Sequence, residues 1–172
     1  MIFVGPSLHG ATPPLPDGVA LRPPAALGDL WRAAEAGFRI LGLADGRFGD
    51  VPAPWHQEIL AVLDTGATVL GAASMGALRA AELDSLGMIG LGRVYADFQS
   101  GLLVADDEVA VVHGPAETGF APGSDALVDI RATLDAASAR GEIAVHEAVL
   151  LIEAMHRIWF PERSRARLVA EA

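Results

Sequence analysis

Residues 67–83, A-T-V-L-G-A-A-S-M-G-A-L-R-A-A-E-L, read as a strand that turns directly into a helix, with Ser74 at the junction. Thr68, Val69 and Leu70 are β-branched or apolar and follow the turn residues Asp64, Thr65 and Gly66. Met75, Ala77, Leu78, Ala80, Ala81 and Leu83 are strong helix formers, so the period changes at Ser74. A helix that begins there leaves its first amides, those of Met75 and Gly76 among them, without intrahelical acceptors. Small residues on either side, Ala72, Ala73 and Gly76, permit close approach. Such a junction suits a carboxylate, a phosphate or a developing oxyanion. The competing reading is an N-cap, because a serine hydroxyl satisfies one of the free amides.

The same alternation extends in both directions. Ile2-Phe3-Val4-Gly5 is expected to be a first strand, followed by a Pro-rich loop over residues 12–24 and a helix over 28–37. Residues 39–44 form a second expected strand ending at Asp45-Gly46, and residues 54–63 a helix with proline at its start. The Ser74 helix is expected to run to about Asp84. The glycine-rich residues 87–92 neither follow a strand nor fit G-x-G-x-x-G, and are expected to be a connecting loop. A short helix over 93–100 precedes a fourth expected strand at residues 109–112, which ends at His113. Helices over 125–139 and 143–160 follow, the latter stopped by Pro161, and Arg163, Arg165 and Arg167 are expected in a solvated tail. This is the pattern of an α/β fold: a single domain over residues 1–160, with a mostly parallel sheet of four or five strands flanked by helices, a helical C-terminal third and a basic tail over 161–172.

Composition narrows the chemistry. The chain has 172 residues, is 52% apolar and carries a formal charge of −10. That charge argues against general binding of nucleic acid or anionic membrane. All 12 basic residues are arginine, which removes any lysine base, Schiff-base lysine or P-loop lysine. With no cysteine there is no disulfide, thiol nucleophile, Cys-based zinc site or persulfide. No segment has the pattern of a signal peptide or a membrane span, so a cytoplasmic location is expected. No metal and no bound cofactor are expected. His146-Glu147 begins like H-E-x-x-H but Leu150 replaces the second histidine, and Asp106-Asp107-Glu108 reads as a solvated acidic loop.

Ligands of such sheets bind beyond the carboxyl ends of the strands. Gly5 and Ser7, Asp45, Ser74 and His113 are expected on that rim, with His56 opening the next helix. They are the parts of an acyl-transfer site. Ser74 would be the nucleophile, His113 or His56 the base, Asp45 the orienting acid, and the Met75 and Gly76 amides the oxyanion donors. Each has a structural alternative: Asp45 as a turn residue, the histidines as backbone-bonded or surface groups, and Arg79 as the ion-pair partner of Glu82. Locally, A-x-S-x-G resembles the nucleophile elbow, and A-A-S-M-G-A the segment around the catalytic serine of Clp-type proteases.

Several blocks in order carry a more specific resemblance. They are F-V-G-P-S-L from Phe3, R-P-P-A from Arg22, Gly28-Asp29, D-G-R-F from Asp45, H-Q-E-I-L from His56, and residues 71–83. Gly87-Met88, D-E-V-A from Asp107, H-G-P-A-E from His113 and L-V-D-I-R ending at Arg131 complete the series. Together they resemble the TfuA-like family. Gln57 stands where the family's block commonly has lysine, so that position is left out of any mechanism. The resemblance implies an accessory role beside a YcaO-type enzyme, which activates backbone amides of ribosomally made peptides with ATP, in thioamide formation. The implied partners are that enzyme, a sulfur-carrier protein and the precursor peptide. Gly5, Ser7, Met75, Gly76, Arg79 and Arg131 are the expected substrate contacts. Two roles fit: a Ser/His hydrolase releasing sulfide from a thiocarboxylated carrier, or a non-catalytic adaptor positioning peptide or donor. Nucleotide or phosphate at the Ser74 helix is a third, weaker reading.

Overall fold

Two apolar tetrapeptides with alternating burial make the centre of the sheet. In β3 (Ile40–Leu43) Leu41 and Leu43 are buried, and in β4 (Thr68–Gly71) Val69 and Gly71 are. The strands pair in parallel, Ile40 beside Thr68 and Leu43 beside Gly71. The computed structural model describes residues 1–49 and 51–172. Three two-residue strands complete the sheet: β1 (Ile2–Phe3), β2 (Leu21–Arg22) and β5 (Ile89–Gly90). All pairings are parallel and the order is β2-β1-β3-β4-β5.

The expected architecture is present: an α/β domain with an all-parallel sheet and a helical C-terminal region. Helices α1 (Asp29–Glu35), α2 (His56–Asp64) and α3 (Met75–Leu83) follow β2, β3 and β4. Glu58 in α2 ties two of them together, its carboxylate accepting from the amides of Gly28 (2.8 Å), Leu30 (2.9 Å) and Trp31 (3.2 Å) at the start of α1. A carboxylate there satisfies free amides and meets the positive end of the helix. Leu30, Leu41, Leu43, Ile59, Val62, Val69 and Met75 fill the core beneath, each at 0–1% exposure. Burying such a side chain contributes about 1.5–3 kcal/mol.

Beyond the sheet lie α4 (Gly92–Gln99), α5 (Leu127–Ala139), α6 (Val145–His156) and α7 (Arg165–Glu171). Leu127, Ile130, Leu134, Ala148 and Met155 form a second apolar cluster there. No helix of the described residues is long and apolar enough to cross a membrane.

Four expectations are corrected. The Pro-rich loop over 12–24 contains β2, because the amides of Ile2 and Val4 donate to the carbonyls of Ala20 and Arg22. The loop over 87–92 contains β5, whose Gly90 leaves space for the Tyr95 ring that a Cβ would overlap. Residues 109–112 do not join the sheet. Asp106–Glu108 form a 3₁₀ turn, and the one bridge nearby is antiparallel, between His113 and Pro122. The basic tail is not solvated throughout: Arg163 is 1% exposed, whereas Arg165 and Arg167 are exposed as expected, on α7.

The cause of the last two corrections is one set of buried charges. Arg163 donates through Nε to the carbonyls of Met155 (3.1 Å) and Ile158 (3.0 Å), through Nη1 to the Asp107 carbonyl (2.6 Å) and through Nη2 to its carboxylate (2.5 Å). Glu108, 2% exposed, receives a bidentate pair from Arg131 at 2.9 and 3.0 Å. Asp107 and Glu108 therefore clamp this turn to the C-terminal region, and only Asp106 is left exposed as the expected solvated loop would be.

Candidate functional site

Gly71 and Gly76 set the elbow at the end of β4. A Cβ on Gly76 would overlap the Leu43 carbonyl oxygen, and one on Gly71 the Gly76 carbonyl oxygen, so α3 starts hard against β3 and β4. Between them Ala73 has φ +62°, a left-handed conformation that non-glycine residues adopt rarely and at a cost of about 1–3 kcal/mol. The strained turn lifts Ser74 onto the rim. Its hydroxyl makes no cap hydrogen bond; it donates instead to the carbonyl of Val109 at 2.9 Å.

The amides at this junction differ. Those of Ser74 and Gly76 both donate to the Ala44 carbonyl, at 3.2 and 3.1 Å, so Gly76 is engaged with the sheet and is not an oxyanion donor here. The Met75 amide has no hydrogen-bond partner among the described residues.

Asp45, 1% exposed, lies where the chain's path across the sheet reverses between β1 and β3, the usual ligand crevice of an open parallel sheet. Its carboxylate accepts from the Gly5 amide (2.7 Å), the Ser7 amide (3.0 Å) and the Ser7 hydroxyl (2.6 Å). That bonding fixes the β1 loop. It also leaves Asp45 oriented toward Gly5 and Ser7 and toward no histidine.

Neither histidine is bonded to Ser74. His113 Nδ1 lies 2.8 Å from the Gly114 carbonyl, and its ring packs edge-on against Phe120 with centroids 5.7 Å apart. His56 Nε2 lies 2.8 Å from a Glu82 oxygen that also accepts from Arg79 at 2.6 Å. Arg79 further donates to the Pro54 carbonyl, and Arg131 is held by Glu108. The arginines proposed as substrate contacts thus serve as ties within the fold.

Ser74 opens into a cavity of about 510 Å³ whose walls include Ser7, Asp45, Val109, Asp125, Asp129 and Arg165. His113 lines a separate groove of about 700 Å³ with Pro24, Phe48, Phe120 and Phe160. Val111 belongs to both. Asp129 is exposed, yet its carboxyl is held above the usual range, first by partial desolvation against the wall and then by the Asp125 charge. Asp45 is already bonded to three donors, so Asp125 and Asp129 supply the cavity's remaining negative charge against Arg165.

Sequence reading missed the Val109 carbonyl, Asp125, Asp129 and Arg165. A backbone carbonyl has no sequence signal at all. The aspartates had one: they stand four apart where α5 begins, beside the L-V-D-I-R block.

No curated protein matches the chain. The family model described as TfuA-like protein matches residues 45–164, a span that holds β4, the Ser74 elbow, the clamp at Asp107 and Glu108, and both α5 and α6. With most of its length covered by that match, the chain belongs to the TfuA-like family.

Proposed function

We propose that this protein is the accessory partner of a YcaO-type enzyme in backbone thioamidation, and that its own part is to hold an extended peptide segment at the Ser74 cavity. The observation that carries the adaptor reading is the engagement of the Ser74 hydroxyl with the Val109 carbonyl while both histidines have other partners. A serine without a base is a weak nucleophile but a good hydrogen-bonding group for a main chain. The charge around it agrees. Asp125 and Asp129 against Arg165 favour amide N–H groups and basic side chains over an anionic thiocarboxylate. The sulfur-carrier protein then delivers to the enzyme and not to Ser74.

A second reading, hydrolysis of the thiocarboxylated carrier, is favoured by the strained Ala73 elbow and the unengaged Met75 amide. In it, Ser74 Oγ adds to the acyl carbon and its proton passes to a base. The C–S bond breaks, hydrosulfide leaves, and water cleaves the resulting ester. This requires the hydroxyl to leave Val109 and a histidine to reach it.

Purified protein mixed with thiocarboxylated carrier, without YcaO enzyme or ATP, separates the two. The adaptor reading expects sulfide at the level of the carrier alone. Sulfide release that disappears in Ser74→Ala overturns it in favour of the hydrolase.

A further inference from the structure

Residues 109–112 have the composition of a strand but sit outside the sheet, and their main chain is only half paired. On one side Gly123 donates to the Val112 carbonyl (2.7 Å), Gly114 to the Ala121 carbonyl (2.8 Å), and Val112 to Ser124 Oγ (2.9 Å), with His113 bridged to Pro122. In an antiparallel pair, alternate residues turn their N–H and C=O to opposite sides. Val112 and Gly114 face the 121–124 segment, so Val111 and His113 face away from it. Among the described residues, the main-chain groups of Val111 and His113 have no hydrogen-bond partner.

We propose that this 111–113 edge is a strand-addition site for an extended peptide, which runs from the Ser74 cavity into the aromatic groove. The proposal rests on the peptide-holding reading above and names how the peptide is held. An unpaired edge supplies donors and acceptors to any extended chain, while the pockets beside it select side chains. The edge separates two cavities that share Val111. At one end the carboxylates of Asp125 and Asp129 complement a basic side chain; at the other, Phe48, Phe120, Phe160 and Pro24 receive an apolar one. The ligand is therefore a short extended segment carrying both kinds of residue. An apolar molecule that cannot hydrogen-bond would leave the Val111 and His113 groups unsatisfied.

The probe is a short capped peptide of alternating valine and arginine, titrated into the whole protein while amide resonances are followed. The Val111 and His113 amides are expected to shift downfield and to gain protection from exchange. Two N-methylated versions, blocked on alternate residues in the two registers, are expected to differ: one binds like the parent and the other at least about tenfold more weakly, the loss of one good hydrogen bond. Val111→Pro, which lacks the donor, is expected to weaken binding similarly; if it does not fold, the methylated peptides carry the test. Binding with both amides unmoved, or equal loss in both registers, overturns the edge as the site while leaving the adaptor reading intact. Absence of binding while thioamidation still requires the protein overturns the edge as well. The adaptor reading itself falls by different results: sulfide release that requires Ser74, or near-complete loss of thioamidation in a stable Ser74→Ala.

Discussion

The Ser74 hydroxyl donates to the carbonyl of Val109, 35 residues further along the chain, at 2.9 Å. That bond joins the parallel sheet to a segment clamped from the other side by Arg131 and Arg163. Ser74→Ala removes it and is expected to cost about 0.5–1.5 kcal/mol, measured by chemical denaturation. On the adaptor reading, thioamidation in a reconstituted mixture falls by less than about tenfold. Near-complete loss of thioamidation with normal stability would contradict the adaptor reading.

Gly76→Ala places a methyl group on the Leu43 carbonyl oxygen. Because the obstacle is backbone, relief requires α3 to move off β3, and a loss of about 1–3 kcal/mol or more is expected. Thermal unfolding compared with Ala77→Gly, in the same helix turn, checks it. A neutral Gly76→Ala would mean that the elbow is looser than its packing shows.

Removal of one partner from the Glu108–Arg131 pair leaves a charge stranded, since Glu108 is 2% exposed. Arg131→Met is expected to cost about 3–5 kcal/mol, and Glu108→Leu combined with Arg131→Met to recover most of that. If Arg131 instead contacts substrate, the single variant keeps its stability and loses binding.

Asp129 has a carboxyl pKa raised in the folded state by desolvation and by Asp125. The folded protein therefore holds that proton more tightly than the unfolded chain does. The resulting stability is fully present below the unfolded value of about 3.9 and is lost as pH rises through the higher folded one. Asp129→Asn is expected to unfold at a higher temperature than the parent near neutral pH, with the gap closing as the pH falls below that range. A gap unchanged across the acid range would remove the electrostatic explanation.

Asp45→Asn keeps the shape of the side chain but replaces one acceptor oxygen with a donor, facing either the Gly5 and Ser7 amides or the Ser7 hydroxyl. With loss of a charged acceptor as well, about 1–3 kcal/mol is expected, read by denaturation. Stability equal to the parent would show that the β1 loop does not depend on this carboxylate.

The sequence by itself determined the local order of strand and helix from residue 39 to residue 83, because alternation, turn residues and helix formers agree there and act over a few neighbours. It also determined the family, through blocks whose spacing survives without any knowledge of contacts. What only the tertiary structure decided was which polar groups meet. Two-residue strands such as β2 and β5 exist through their neighbours' hydrogen bonds, too short to have a period of their own. Residues 109–112 have strand composition yet lie outside the sheet, because the Asp107–Arg163 and Glu108–Arg131 pairs hold them on the C-terminal helices. The serine, histidines and aspartate expected on one rim found other partners, since hydrogen-bond choice depends on distances between segments that no spacing along the chain encodes.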